Sequence, residues 1–333
     1  MHQGLEPGTV LRDRYEILGL IGQGGMGAVY KAADRRLPGR ICAIKETWPP
    51  PGLSPEALAH TREQFLREAS TLARLDHPNL PKVSDYYTLA PPGQDVVSRD
   101  YLVMDYVPGQ NLEDLAHQAR REGRFLDQQE VLGWMGQLCD ALSYLHGQEP
   151  PVLHRDVKPA NVKLTPEGRI KLVDFGLVKP LDPADPRTVT GLRGLGSLPY
   201  TPIEQYAGEM AHTDRRSDLY ALGATLYHLL TGSAPANAQE RFLDDGLLRR
   251  PREVNPAISR DVEQAVLAAL ALHPKDRPES VAAWCRMLAG QAGTATGRVL
   301  QQEESWTEAL WANRWLVVLA LVMLVAAVVV TFR

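Results

Sequence analysis

The sequence predicts an α+β fold: a small, mainly antiparallel β-sheet lobe with one key helix, then a larger, mainly helical lobe, then one apolar C-terminal helix. Three observations carry this. At 333 residues and 36.8 kDa the chain is too long for one small core and suits two lobes with an appendage. Short strand-like runs near 15–21, 28–32, 41–45 and 101–107 fill the first third, and helical spacing of large apolar groups takes over at 131–146. Residues 315–332 carry no charge, glycine or proline.

Composition narrows the function classes. Hydrophobic residues make up 44 % and charged residues 23 %, ordinary for a globular protein. The net charge of −4 offers no basic field, so nucleic acid is not an expected partner. Cys42, Cys139 and Cys285 are widely spaced without metal-ligand neighbours. Each reads as a small buried apolar thiol in a reducing compartment. The N-terminus has no apolar secretory run.

In chain order, Tyr15 to Ile21 reads as a strand, followed by Gly22-Gln23-Gly24-Gly25-Met26-Gly27 and a second strand through Ala28-Val29-Tyr30. Glycines here let a tight hairpin lay backbone N–H groups over phosphates. A dinucleotide-binding turn has similar glycine spacing but leads into a helix, whereas this run continues as a strand. Ile41-Cys42-Ala43-Ile44-Lys45 is an apolar strand ending in a cation. Residues 65–75 form a helix with Phe65, Ala69, Leu72 and Leu75 on one face; Glu68 and Glu63 are both candidates to pair Lys45. His77-Pro78-Asn79 closes it, since proline resists helical continuation. Tyr101 to Val107 is a buried strand running into the turn Pro108-Gly109.

The most informative stretch is His154-Arg155-Asp156-Val157-Lys158-Pro159-Ala160-Asn161, delivered by the 131–146 helix. The strand Ile170-Lys171-Leu172-Val173 then presents Asp174-Phe175-Gly176. Together they set an acid, a lysine, an asparagine and a second acid in the order phosphoryl transfer needs, where charge neutralisation carries most of the chemistry.

With these motifs the chain resembles the protein kinases from about residue 12 to about residue 289. The glycine run and the single span make it most similar to the bacterial Hanks-type serine/threonine kinases. The resemblance implies a bilobed protein-kinase fold with lobes at about 12–105 and 108–289, a linker at 290–313 and a transmembrane helix at 314–332. It implies ATP and Mg2+, protein substrates bearing serine or threonine, and a signalling role. Asp156 would accept the substrate hydroxyl proton, and Lys158 would sit against the transferring phosphate. Asn161 and Asp174 would hold magnesium. Ile21, Gly22, Gln23, Gly24, Gly25, Met26, Gly27, Ala28 and Val29 would cover the nucleotide. Lys45, oriented by Glu68, would hold the α- and β-phosphates. Met104 would stand behind adenine, and the backbones of Asp105 and Val107 would hydrogen-bond it.

The resemblance also reaches the activation segment, 174–204. It implies autophosphorylation at Thr188 or Thr190, near Arg187 and Arg193, with Arg155 engaging the new anion. Pro202-Ile203-Glu204 departs from the family's Ala-Pro-Glu, yet keeps the glutamate that pairs with Arg277. Ser197 replaces a threonine and keeps the hydroxyl that bridges Asp156 and Lys158. Asp218 matches an aspartate that braces the catalytic-loop backbone. Two other readings stay open: a membrane-tethered pseudokinase scaffold and a small-molecule phosphotransferase. The presence of Lys45, Asp156, Asn161 and Asp174 argues against the first, and the long activation segment against the second.

At the C-terminal end, Trp315 to Phe332 gives 18 residues, about 27 Å at about 1.5 Å each, close to a hydrocarbon core. Arg314 and Arg333 bracket it and Trp306, Trp311 and Trp315 suit the interface, although a buried core helix has the same composition. The expectation is a single-pass cell-membrane protein with its catalytic part in the cytoplasm, where ATP is, and no sizeable domain beyond the span. The Gly/Ala/Thr-rich stretch before it reads as a flexible tether. Confinement to a bilayer raises effective concentration and favours a homodimer phosphorylating in trans.

Overall fold

The computed structural model describes residues 4–25, 27–49, 52–89, 98–174, 195–206 and 214–292. Met26, Phe175, Gly176, Arg187, Thr188, Thr190, Arg193, most of the expected linker and the 314–332 span lie outside the described residues. Among the described residues no helix is long and apolar enough to cross a membrane. A compact unit runs Met1–Leu288, and it contains both lobes.

The first lobe is an antiparallel sheet in the order β1-β2-β3-β4-β6-β5. Its strands are β1 (Val10–Leu11), β2 (Tyr15–Gly24), β3 (Gly27–Asp34), β4 (Ile41–Thr47), β5 (Val83–Leu89) and β6 (Arg99–Asp105). β2 and β3 form the glycine-rich hairpin, with Gly24 opposite Gly27. A Cβ at Gly27 would fall 1.9 Å from the Glu46 carbonyl oxygen, so β4 can run alongside only if this position has no side chain.

The two-residue period of a strand divides β4 between two environments. Cys42 and Ile44 enter an outer cluster with Tyr15, Tyr30, Tyr101 and Val103, while Ala43 turns the other way into the main core. Glu46 shares the outer face and is fully buried. It accepts from the Tyr30 and Tyr101 hydroxyls at 2.9 Å, Trp48 Nε1 at 3.0 Å and Arg99 at 2.8 Å. A buried carboxylate so surrounded has donors for its lone pairs and a cation beside it.

Helix α1 spans Pro55–Leu72, starting well before the expected Phe65 and ending before Leu75. The sequence signal for that start is Ser54, whose side chain accepts from the Ala57 N–H, followed by a proline in the first turn. Phe65, Ala69 and Leu72 are buried against the sheet's inner face in one cluster with Leu102 and Met104.

The second lobe contains β7 (Gln110–Asn111), α2 (Leu112–Arg121), α3 (Gln128–His146), β8 (Val162–Leu164) and β9 (Ile170–Leu172). It continues with α4 (Arg215–Thr231), α5 (Ala238–Leu243), α6 (Pro251–Val254), α7 (Arg260–Ala269) and α8 (Val281–Ala292). β7, β8 and β9 form a small antiparallel sheet. α4 is buried from Ser217 through Thr231, as a central helix must be. Its buried threonines bond back to backbone carbonyls one turn earlier, at 2.8 Å for Thr225 and 2.7 Å for Thr231. Helix α8 carries on through Ala292, into the stretch read as tether from residue 290. Its Cys285 is only half-buried and lies against buried Cys139, so two thiols far apart in sequence are neighbours.

Candidate active site

The catalytic loop is fixed from beneath by α4. Asp218, fully buried, accepts from the His154 N–H at 2.9 Å, the Arg155 N–H at 2.7 Å and His146 Nε2 at 2.8 Å. Burial pushes its carboxyl up, but His146, His154 and the Arg155 N–H prevail and hold it below the usual carboxylate range. Turning both N–H groups toward one acceptor bends the chain sharply, and Arg155 takes φ +64°, a left-handed conformation uncommon for a non-glycine residue. His154 is buried beneath the loop, and that burial pushes its imidazolium down, leaving a neutral ring.

Two residues beyond, Asp156 is set among polar partners. Lys158 Nζ lies 2.9 Å from its carboxylate and 2.8 Å from Ser197 Oγ, which is itself 3.5 Å from Asp156. The triangle expected of Ser197 is therefore present. Asn161 Nδ2 donates to the Asp156 carboxylate at 2.9 Å and to its carbonyl at 2.8 Å. With its amide nitrogen so engaged, Asn161 offers its side-chain oxygen to a cation.

Asp174 is presented by β9. Leu172 and Ile170 are tied to Asn79 by bonds of 2.8 Å each, and the Val173 N–H donates to the Asn161 carbonyl at 2.8 Å. Asp174 also has a left-handed φ, +63°. Its carboxylate is in direct contact with Lys45 Nζ from β4, although the two stand 129 positions apart. Glu68 sits half-buried on α1, beside buried Phe65 and Ala69. Its rival Glu63 is on the exposed side, paired with Arg67 one turn on.

Lys45, Asn161 and Asp174 share a cavity of about 450 Å³ between the lobes. Ile21, Gly22, Val29, Ala43 and Met104 line it, with the hinge residues Asp105 and Val107. Gln23, Gly24 and Gly25 are exposed at the hairpin tip, and Gly27 is half-buried. One expected contact is corrected: the Ala28 side chain belongs to the outer cluster, because the period of β3 turns it away from Val29. Sequence reasoning missed Tyr106, Asn111, Asp114, Ala160 and Lys163, which also form the wall. The signal for Lys163 was available, since alternation along β8 opposes it to buried Val162.

The donor set suits a hard cation. Asn161 and Asp174 supply oxygen ligands, and magnesium is bound by one or two such groups together with substrate phosphates rather than by an all-protein cage. Among the described residues, no group of three or more His, Cys, Asp or Glu is placed to hold a metal ion.

At the end of the segment after the site, Arg277 forms a two-pronged pair with Glu204, at 2.7 and 3.0 Å, and Ser217 Oγ donates to the same carboxylate at 2.8 Å. Arg277 is 4 % exposed. The pair expected despite the altered Pro202-Ile203-Glu204 is thus present.

Comparison with known proteins bears on the family and the fold. The family model described as Protein kinase domain matches residues 15–287. A probable serine/threonine-protein kinase of Corynebacterium efficiens is 34 % identical over 282 residues, 82 % of this chain and 40 % of that protein. The serine/threonine-protein kinase PknB of Mycobacterium leprae is 33 % identical over 283 residues, 82 % of this chain and 42 % of that protein. The chain thus spans about two fifths of the length of these curated relatives. Among solved structures, PpkA in its apo form is 28 % identical with a TM-score of 0.68, covering 86 % of this chain and 99 % of that one. A variant of the Mycobacterium tuberculosis PknI kinase domain is 31 % identical with a TM-score of 0.64, covering 87 % and 100 %. On the family match, the relatives and the fold, the chain belongs to the protein kinase family.

Proposed function

We propose that the chain transfers the γ-phosphoryl group of ATP to serine or threonine hydroxyls of proteins. The observation that carries this is the convergence on one cavity of Lys45, Asp174 and Asn161, with the Asp156–Lys158–Ser197 triangle joined to it through the Asn161–Asp156 hydrogen bond. Asp156, held by Lys158 and Asn161, positions the incoming hydroxyl and takes its proton. Lys158 stays beside it and offsets charge on the transferring group. Lys45 reaches the same space from β4 and meets the remaining phosphates. Magnesium, held by Asn161 and Asp174, supplies further charge neutralisation when bound. The lysine beside the catalytic acid follows the serine/threonine pattern, in keeping with the names of the relatives.

Three finer readings belong to the same proposal. Arg155 Nε is buried and without a hydrogen-bond partner among the described residues, which suits an anion such as phosphorylated Thr188 or Thr190. The uncharged run from Trp315 to Phe332 supports a membrane-spanning helix that holds the kinase unit at the cytoplasmic face. Such tethering favours phosphorylation in trans within a homodimer.

The test is incubation of the detergent-solubilised full chain with labelled MgATP and a basic protein, beside Asp156→Asn. Label recovered as phosphoserine or phosphothreonine with the wild type, reduced by about 100-fold or more in the variant, is the expected result. A folded wild type that binds ATP and transfers nothing would return the pseudokinase reading. Peptide mass spectrometry of the same sample reads Thr188 and Thr190.

A further inference from the structure

We propose that Lys163 sets the base selectivity of the cavity: its ammonium occupies the hinge carbonyl that guanine requires, so adenine is accepted and guanine is refused. This rests on the reading of the cavity as the nucleotide site.

Lys163 is the middle residue of β8, opposite Asn111 of β7. Val162 before it is fully buried in the core, so alternation turns Lys163 to the other side, where it lines the cavity beside Val107, Asn111 and Asp114. Its Nζ donates to the Val107 carbonyl at 3.2 Å and lies 6.0 Å from the centre of the Tyr106 ring. The lysine stem gives the cavity an apolar surface while its charged tip is fixed on the hinge. Burial pushes its ammonium down from the usual range, with Asp114 opposing. The hinge does not need the lysine to dock on β8. A Cβ at Gly109 would fall 1.9 Å from the Leu164 carbonyl oxygen, so the two backbones are already in contact.

The consequence follows from hydrogen-bond polarity. Adenine presents an N6–H donor beside the N1 acceptor, matching the Asp105 C=O and Val107 N–H that the resemblance assigns to it along this wall of the cavity. Guanine presents the reverse, an O6 acceptor beside an N1–H donor. Guanine fits only by sliding until O6 meets the Val107 N–H and N1–H meets the Val107 C=O. Lys163 already holds that carbonyl, and a cationic donor then faces the guanine N1–H and N2–H donors. A desolvated site that sets donor against donor rejects the wrong ligand far more strongly than a missing apolar contact does.

The test is calorimetric titration of the full chain in detergent with MgADP and MgGDP, for the wild type, Lys163→Met, Lys163→Leu and Lys163→Arg. The wild type is expected to prefer ADP by about 100-fold or more, as polar mismatches in buried sites allow. Either neutral variant should shrink that ratio by about tenfold, mainly by tightening GDP, while the arginine variant keeps it. ADP binding by a neutral variant reports that it has folded. An unchanged ratio in a neutral variant that binds ADP overturns the assignment of selectivity to Lys163. A wild type that binds neither diphosphate overturns the nucleotide site itself, and the selectivity with it.

Discussion

The glycine-rich hairpin and the catalytic loop serve one cavity and are built in opposite ways. At the hairpin, a Cβ added to Gly22, Gly24 or Gly25 would meet nothing within 4 Å, and Leu20 and Ile21 are exposed. In the loop, Asp218 gathers two backbone N–H groups and a histidine, Asn161 binds Asp156 twice, and Ser197 holds Lys158. Buried polar pairs are concentrated where reacting atoms must keep their positions, and the cover is left open for a nucleotide to enter and leave. Local stability follows contact density, so the two segments should differ in opening free energy.

The largest expected break in this contrast is Asp218→Ala. It leaves two buried N–H groups and His146 without their acceptor, and should cost about 4 kcal/mol in urea unfolding with phosphate transfer lost as well. An unchanged unfolding midpoint would mean that the loop is held by something other than α4.

Next is Arg277→Met, which strands the Glu204 carboxylate, only 8 % exposed at its side chain. A loss of about 3 kcal/mol is expected, because one buried charge then lacks its partner. The double change Glu204→Gln with Arg277→Met should recover part of it, which a thermodynamic cycle would read.

A pH series sharpens the contrast from a third position. His228 on α4 is buried against Tyr200, with its Nδ1 2.6 Å from the Tyr200 hydroxyl, and so anchors the segment that carries Ser197. Burial first, then His117 and Arg120, push its imidazolium down to about 4. Above about pH 6.5 the ring is neutral in both folded and unfolded chains and stability is full. Below that, the unfolded chain takes up the proton first, and stability falls until pH reaches about 4, by no more than about 3 kcal/mol. His228→Gln should remove one proton from the uptake between these limits; His154, displaced downward too, keeps a residual slope there, whereas Asp218 adds its own only below about pH 4. An identical slope in the variant would show that His228 is not the group titrating.

The smallest effect belongs to the open hairpin. Gly24→Ala should change stability by less than about 1 kcal/mol. Gly109→Ala, whose Cβ would lie 1.9 Å from the Leu164 carbonyl oxygen, should cost more than about 2 kcal/mol. Equal penalties would erase the distinction between cover and hinge.

Much of the site was legible as linear order. The loop from His154 to Asn161, the strand before Asp174 and the apolar strand that carries Lys45 all follow from period, spacing and glycine placement, although β4 runs on past Lys45 to Thr47. Other parts were harder to see. The start of α1 was set by the Ser54 cap rather than by the apolar face read from Phe65 onward. Ala28 was placed over the nucleotide although alternation on β3 sends it outward. Lys163 lies two residues beyond Asn161, outside any motif, and only alternation along the short β8 turns it to the same cavity wall.

By itself the sequence determined which residue types stand where along each element: the glycine turn, the alternating strands, the acid–lysine–asparagine order and the uncharged terminal run. These are local properties, written in neighbouring residues. The tertiary structure decided the partners. Lys45 meets Asp174 across 129 positions, Glu204 meets Arg277 across 73, and Lys163 reaches Val107 across 56. No local period encodes such contacts. They exist because burying the sheet face, α3 and α4 in one core brings distant backbones together and leaves their charges to find acceptors where they meet.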